Sequence, residues 1–157
     1  MDGSRTLSDA ALQAGRGRAF ALAVLALFTA AFSAALRAAI AGGMKAQWID
    51  AIDPVRAGEM TGAALGAAFL GFAITLFLAS AVLDAIGTRR LLVASGLCFV
   101  AGTALIVGAG SIADGRAVYH LVWAGMLVSG IGWGLVEATI NPLVARLYPD
   151  ETTHRLN

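Results

Sequence analysis

Apolar residues along this chain fall into four long runs, at about residues 20–41, 62–83, 91–113 and 118–144, and these runs contain few charged side chains. At 1.5 Å per residue, a helix of about 22 residues crosses a hydrocarbon core of about 30 Å. Backbone groups in lipid have to be satisfied within their own segment, and no run alternates like a barrel strand. The pattern therefore predicts an all-α, multi-pass membrane protein with four transmembrane helices.

Polar segments flank the apolar region and set its predicted boundaries. Residues 1–18 are predicted as an N-terminal segment, 19–145 as the transmembrane region and 146–157 as a polar tail. The connection from Gly42 to Thr61 is amphipathic in part, and its pattern allows the flanking helices to extend outward into it. On the side of the two termini the basic residues are Arg5, Arg16, Arg18, Arg89, Arg90, Arg146 and Arg155. On the opposite side they are Lys45, Arg56 and Arg116. Loops rich in Lys and Arg stay on the cytoplasmic side of a membrane. The excess of basic residues on the side of the two termini therefore predicts an inner or plasma membrane protein with both termini in the cytoplasm.

Composition agrees with a membrane protein and excludes several other classes. Of 157 residues, 59% are apolar and 13% are charged, against about 45–50% and 25% in soluble domains. The net charge of +1 provides no electrostatic footprint for nucleic acid. No spacing of metal-ligating residues, no nucleophile beside a base and no phosphate-binding glycine loop is present in the sequence. The sequence predicts no metal, no cofactor and no enzymatic activity.

One basic side chain, Arg37, falls within the first apolar run. A mid-span arginine costs about 2.5–3.5 kcal/mol on insertion scales, and Arg37 lies about four residues from the outer end of its run. It has two interpretations: a side chain that snorkels to the nearer interface, or an inward cation that pairs with an acid or holds an anionic solute. The small helix neighbours Ala26, Ala30 and Ser33 favour the inward interpretation, because a small-residue face packs closely or borders a cavity.

Glu137 lies deep in the fourth run and shares a helical stripe about 60° wide with Gly130, Gly134 and Asn141. The glycines allow another helix to approach, so that the polar groups face protein rather than lipid. Desolvation favours the neutral carboxylic acid, and such a group exchanges a proton near physiological pH, as a proton-coupled carrier requires. The alternative is a structural carboxyl that pairs with Arg37 or with a backbone group.

Glycines and a proline indicate how the helices pack. Gly62 and Gly66 in the second run, and Gly130 and Gly134 in the fourth, have the four-residue spacing of helix-packing glycines. Pro142 removes a backbone hydrogen bond and predicts a kink or break near the polar stripe, a recurring device of carriers.

The connection between the second and third runs reads S-A-V-L-D-A-I-G-T-R-R over residues 80–90. It resembles the signature loop of the major facilitator superfamily, G-x-x-x-D-R/K-x-G-R-R/K-R/K. The matching residues are Asp84, Gly87, Arg89 and Arg90; the departures are Ser80, Ala85 and Thr88. In that family the loop latches the cytoplasmic helix ends as the two halves rock. We expect Asp84 to cap the next helix and to pair with Arg89 or Arg90.

The fourth run and the tail are similar to the fucose–proton symporter branch of that superfamily. The shared features are a glycine-rich helix with Glu137, the pair Asn141–Pro142, and the ending R-L-N at residues 155–157. The resemblance implies a sugar-type solute, proton coupling and a central cavity that contains Glu137. That branch has an acid in its first helix, where this chain has Arg37, so the alternatives are a different solute, such as an anion, or a different coupling.

The family fold has about twelve helices in two halves, of which this chain supplies four. We therefore expect an N-terminal part of a carrier that works by alternating access. Its expected partners are the lipid bilayer, a small-molecule solute, protons and the missing C-terminal helices of the same protein. Two alternatives stay open: a four-helix protein that transports as a homo-oligomer, and a non-transporting membrane subunit.

Overall fold

The computed structural model describes residues 3–112 and 115–149, and these form four long helices. Their bounds are α1 Gly3–Met44, α2 Ala57–Ile86, α3 Thr88–Ile112 and α4 Arg116–Leu147. Each helix is long and apolar enough to cross a membrane, so the predicted all-helical architecture with four candidate spans is confirmed. The predicted ending R-L-N lies outside the described residues.

The connection between α1 and α2 is shorter than the polar pattern indicates. After Met44 the chain continues as a π-helical turn, Lys45–Ile49, and α2 already begins at Ala57. Trp48 of this turn lies over α3, because a Cβ added to Gly110 would meet its indole Nε1 at 2.9 Å. The flanking helices thus extend into most of the predicted loop, and only residues 50–56 connect them.

Helix α4 lies between α2 and α3 and packs along both of them, whereas α2 and α3 hardly touch each other. Helix α1 contacts α4 less extensively. Between α4 and α2 the approach is backbone to backbone: a Cβ on Gly130 would collide with the carbonyl of Ala68, and one on Gly134 would lie 2.7 Å from the carbonyl oxygen of Phe72. Gly71 of α2 meets α4 just as closely. Glycine therefore sets the distance between these two helices.

The opposite side of α4 meets α3 in the same way. A Cβ on Gly125 would lie 2.7 Å from the carbonyl oxygen of Gly102. The Ser95 hydroxyl donates a hydrogen bond of 2.8 Å to the Gly132 carbonyl. The Ser129 hydroxyl is buried against Gly102 and has no hydrogen-bond partner among the described residues. Close contact on both sides makes α4 the most buried of the four helices.

Helix α1 presents a seven-residue repeat to the rest of the molecule. Over residues 13–44 its buried positions are Ala23, Ala30, Arg37 and Met44, each at most 6% exposed. A repeat of seven keeps one seam of a helix facing its neighbour, as in left-handed helix packing. Arg37 therefore lies on the inner seam of α1, and its burial supports the inward interpretation.

Large apolar side chains cover the outer surface of the helices. Examples are Phe28, Phe77, Val100 and Val107, each more than 60% exposed. In water such a surface would be a liability, whereas in a bilayer it is the ordinary lipid-facing composition. The exposed faces and the four long helices together indicate a protein embedded in a membrane.

Candidate functional site

A cavity of about 270 Å³ lies between α1 and α4 and is lined by Glu137 and Asn141, the two polar residues of the predicted stripe. The apolar lining comprises Phe20, Ala23, Val24, Leu27, Ile140 and Val144. A small volume with two adjacent polar groups in an apolar wall is typical of a site for one small polar molecule.

Glu137 is half-buried and is positioned by an aromatic cluster. The indole Nε1 of Trp133 donates a hydrogen bond to its Oε1 at 3.3 Å. The Trp133 ring packs against Phe72 and Phe69 of α2, with ring centroids 4.5 and 5.9 Å away. Helix α2 thus fixes the indole, and the indole orients the carboxyl group toward the cavity between α1 and α4.

The predicted stripe is divided between two neighbours of α4. Gly130 and Gly134 face α2, whereas Glu137 and Asn141 line the cavity beside α1. Asn141 is exposed, so its amide is accessible from outside the four-helix unit. Helix α4 continues through Pro142 to Leu147 without a break.

Arg37 is 6% exposed, and its Nη1 donates a 2.7 Å hydrogen bond to the Ser33 hydroxyl. The structure shows no ion pair to Arg37 in residues 3–112 and 115–149. Leu27 borders the Glu137 cavity, and at 1.5 Å per residue Arg37 lies about 15 Å farther along α1. An Arg37–Glu137 pair is therefore not formed, because the two groups occupy different levels of the bundle.

The loop that resembles the family signature is a single tight turn. Helix α2 ends at Ile86, Gly87 has a positive φ of 88°, and α3 begins at Thr88. A non-glycine residue would be strained at this φ. Gly87 thus allows the chain to reverse in one residue, which places Arg89 and Arg90 in the first turn of α3.

The prediction that Asp84 caps α3 and pairs with Arg89 or Arg90 is wrong. Asp84 lies within the last turn of α2, and its Oδ1 accepts a hydrogen bond from Nη2 of Arg146 at 2.6 Å. Packing of α2 along α4 brings this turn beside the end of α4, where Arg146 projects. The acid therefore connects α2 to α4 instead of closing its own loop.

This ion pair is expected to contribute little to stability. Its side chains are 64% exposed for Arg146 and 85% exposed for Asp84, and exposed pairs contribute about 0–1 kcal/mol. Asp84→Asn should lower the free energy of unfolding by less than about 1 kcal/mol, and salt should reduce the difference. Thermal unfolding at low and high NaCl checks this; a loss of several kcal/mol would show a more extensive latch.

Among the predicted packing glycines, Gly130 and Gly134 lie at a helix contact and Gly62 and Gly66 do not. No atom lies within 4 Å of a Cβ added to Gly62 or Gly66, which face away from the neighbouring helices. Their spacing is that of a packing motif, but α2 uses another side to meet α4.

A second polar cavity, of about 220 Å³, lies at the opposite end and was not predicted. Its charged lining includes Arg56, Glu59 and Arg116. Arg56 donates two hydrogen bonds to Glu59, at 2.8 and 3.0 Å, and this carboxylate raises the pKa of Arg56. In the part of the chain that the structure describes, no cluster of His, Cys, Asp and Glu has the arrangement of a metal site.

Comparison with known proteins identifies no relative: no family model, no curated protein and no solved structure matches this chain.

Proposed function

We propose that this chain is part of a membrane carrier for a small polar solute, a sugar or an organic anion, and that Glu137 exchanges a proton during transport. One observation carries the proposal: the Glu137 carboxyl lines a cavity between two membrane helices, and the described residues pair it with no cation. A carboxyl group inside the membrane region is energetically unfavourable, and its presence there indicates a function. Reversible protonation is the function that suits the chemistry of a carboxyl group.

The hydrogen bonds around Glu137 support this role over a structural one. A structural carboxylate normally accepts several short hydrogen bonds, whereas the described residues give Glu137 a single one, of 3.3 Å, from Trp133. Its other oxygen is available for a proton or for a solute hydroxyl group. Asn141, one helical turn away, offers an amide with both donor and acceptor atoms. The pair is suited to a polyhydroxyl compound.

The major facilitator assignment is part of the same proposal. It is supported by the sequence of residues 80–90 and by the Asp84–Arg146 contact, which ties α2 to α4 at the end that carries that loop. In alternating access, two groups of helices rock about a site near the bilayer midplane. We propose that Glu137 and Asn141 line the part of this pathway nearer the two termini, because Phe20 and Val144 of the same cavity lie at the ends of their apolar runs.

Residues of α1 and α4 alone line the cavity, and Asn141 is exposed beside it. Polar groups avoid lipid, so we propose that further helices of the same protein cover this side. The same observation favours a second candidate, in which another copy of the chain covers it. Cysteine cross-linking at Asn141 in membranes distinguishes them: a disulfide-linked dimer of Asn141→Cys supports the second candidate.

Glu137→Gln tests the coupling role, because glutamine keeps the size and polarity but has no exchangeable carboxyl proton. The full-length protein to which this chain belongs is reconstituted with all its helices in liposomes that contain an internal pH dye, and it is exposed to a panel of sugars and organic anions. We expect solute-dependent proton movement in the wild type and a decrease of about tenfold or more in the variant. Exchange of labelled for unlabelled solute should persist, since exchange requires no net proton transfer.

Glu59→Gln is the matched control, because it makes the same change in an exposed carboxylate that pairs with Arg56. It should leave proton movement unchanged. Wild-type proton movement in Glu137→Gln would refute the coupling role. Absence of both uptake and exchange for every solute in the wild type would favour a non-transporting membrane subunit.

A further inference from the structure

Two open apolar grooves meet at the start of α3. One, of about 460 Å³, lies between α1 and α3 with Leu22 and Leu92 in its walls. The other, of about 640 Å³, follows the outer side of α3 along Ala94 and Leu97. Arg89 lines both grooves. The Arg89 side chain therefore lies where the two apolar grooves join on the membrane-facing surface.

The charge at this junction is positive and uncompensated within the described residues. Arg89 and Arg90 are exposed, and residues 3–112 and 115–149 provide neither of them with an ion pair. The nearby acid, Asp84, is already held by Arg146. The first N–H groups of α3 have no preceding helical carbonyl and add a partial positive charge.

A third cation approaches from α1. Arg16 is exposed and stands three and seven residues before Ala19 and Ala23, which line the groove between α1 and α3. This spacing places Arg16 on the groove-lining face of α1, just beyond the apolar wall. The positive end of the groove thus includes contributions from two helices.

We propose that an anionic phospholipid binds at this junction. Its phosphate would accept hydrogen bonds from the Arg89 and Arg90 guanidinium groups at the N-terminus of α3, and one acyl chain would lie in each groove. Arginine binds phosphate through paired donors, and basic pockets between membrane helices are a recognised type of site for anionic headgroups. The charge selects an anion, and the two adjoining apolar grooves select a diacyl lipid over free phosphate. This proposal depends on the membrane location and not on transport.

Native mass spectrometry of the purified chain in a neutral detergent tests the site. Phosphatidylglycerol and phosphatidylcholine with identical acyl chains are added at increasing concentrations. We expect stoichiometric binding of phosphatidylglycerol to the wild type and an affinity lower by about tenfold or more in the double variant Arg89→Gln/Arg90→Gln. The control Arg116→Gln removes an exposed charge at the opposite end and should bind like the wild type.

Two further measurements distinguish binding of a lipid from binding of free inorganic phosphate. Millimolar inorganic phosphate should not displace the bound lipid, because it provides nothing for the grooves. Val93→Trp, at a position that lines both grooves, should weaken phosphatidylglycerol binding without removing a charge. Equal binding of the two lipids, unchanged binding by the double variant, or full displacement by inorganic phosphate would each overturn the proposal. Thermal unfolding of each variant verifies that it is folded, and both arginines are exposed enough to be replaced without loss of the fold.

Discussion

Gly130→Ala is expected to destabilise the protein by about 1–3 kcal/mol or more, although alanine forms helices better than glycine does. The added methyl group would collide with the carbonyl group of Ala68 in α2, and backbone atoms cannot move aside as a flexible side chain does. Helices α2 and α4 would have to separate along their length. Thermal unfolding in detergent or nanodiscs measures the effect.

Gly66→Ala is the matched control for this prediction. It makes the same chemical change within a membrane helix, but no atom lies within 4 Å of the added Cβ. Its stability should be unchanged or higher by up to about 1 kcal/mol, as helix propensity predicts. Equal stability of Gly130→Ala and Gly66→Ala would show that α2 and α4 do not approach each other as closely as described.

Arg37→Leu is expected to make insertion of α1 into the membrane more favourable by at most about 3 kcal/mol, because Arg37 lies four residues from the end of its run and the full value applies at mid-span. Under the proposed function it also eliminates transport if Arg37 holds an anionic solute. On insertion scales arginine is unfavourable by about 2.5–3.5 kcal/mol at mid-span, and leucine is slightly favourable. The substitution removes one hydrogen bond to Ser33, which contributes only about 1 kcal/mol. A glycosylation-mapped insertion assay measures the first effect, and thermal unfolding in nanodiscs measures the net stability.

Arg116→Leu provides the comparison, because Arg116 begins α4 and is exposed. Its stability should change by no more than about 0.5 kcal/mol. A decrease of about 3–5 kcal/mol in the free energy of unfolding of Arg37→Leu would contradict the prediction, because that is the effect of breaking a buried ion pair. It would establish that an acid outside the described residues pairs with Arg37.

The four helices were predictable from sequence because lipid imposes a length and a composition on any segment that crosses it. The ends were less predictable, as the stretch from Gly42 to Thr61 shows. Its partly amphipathic pattern allowed the flanking helices to extend outward but did not show how far, and the backbone of Lys45–Ile49 continues α1 as a π-helical turn. Lys45 at the start of this turn pairs at 2.6 Å with Asp50, which caps its end.

The neighbours of each helix were not predictable from the same pattern. Small residues occur throughout α2, so Gly62 and Gly66 were no less plausible as contacts than Gly71, which no spacing motif in the sequence indicates. Gly102 of α3 was missed for the same reason. Hydropathy does not distinguish a lipid-facing glycine from a packed one, because neither has a side chain to place in lipid or protein.

Glu137 and Arg37 stand out in the sequence because a charged side chain is costly in lipid, and whether either has a function stays a prediction. The residues that contact them were not predictable, since they depend on where another helix crosses. Trp133 and Phe72 come together only because α2 and α4 approach at Gly134. The Asp84–Arg146 pair joins residues 62 positions apart, and a local motif gives no indication of such a contact.

The glycine contacts on both sides of α4 also determine which part of this molecule is able to shift. Sliding α2 or α3 along α4 would drive backbone atoms into one another, so these three helices behave as a single stiff block. Helix α1 contacts that block through side chains and across the cavity that contains Glu137 in its lining. A displacement of α1 therefore changes side-chain rotamers and the shape of this cavity, without backbone collisions. Under the proposed function, a solute bound beside Glu137 would therefore displace α1 relative to the block of α2, α3 and α4.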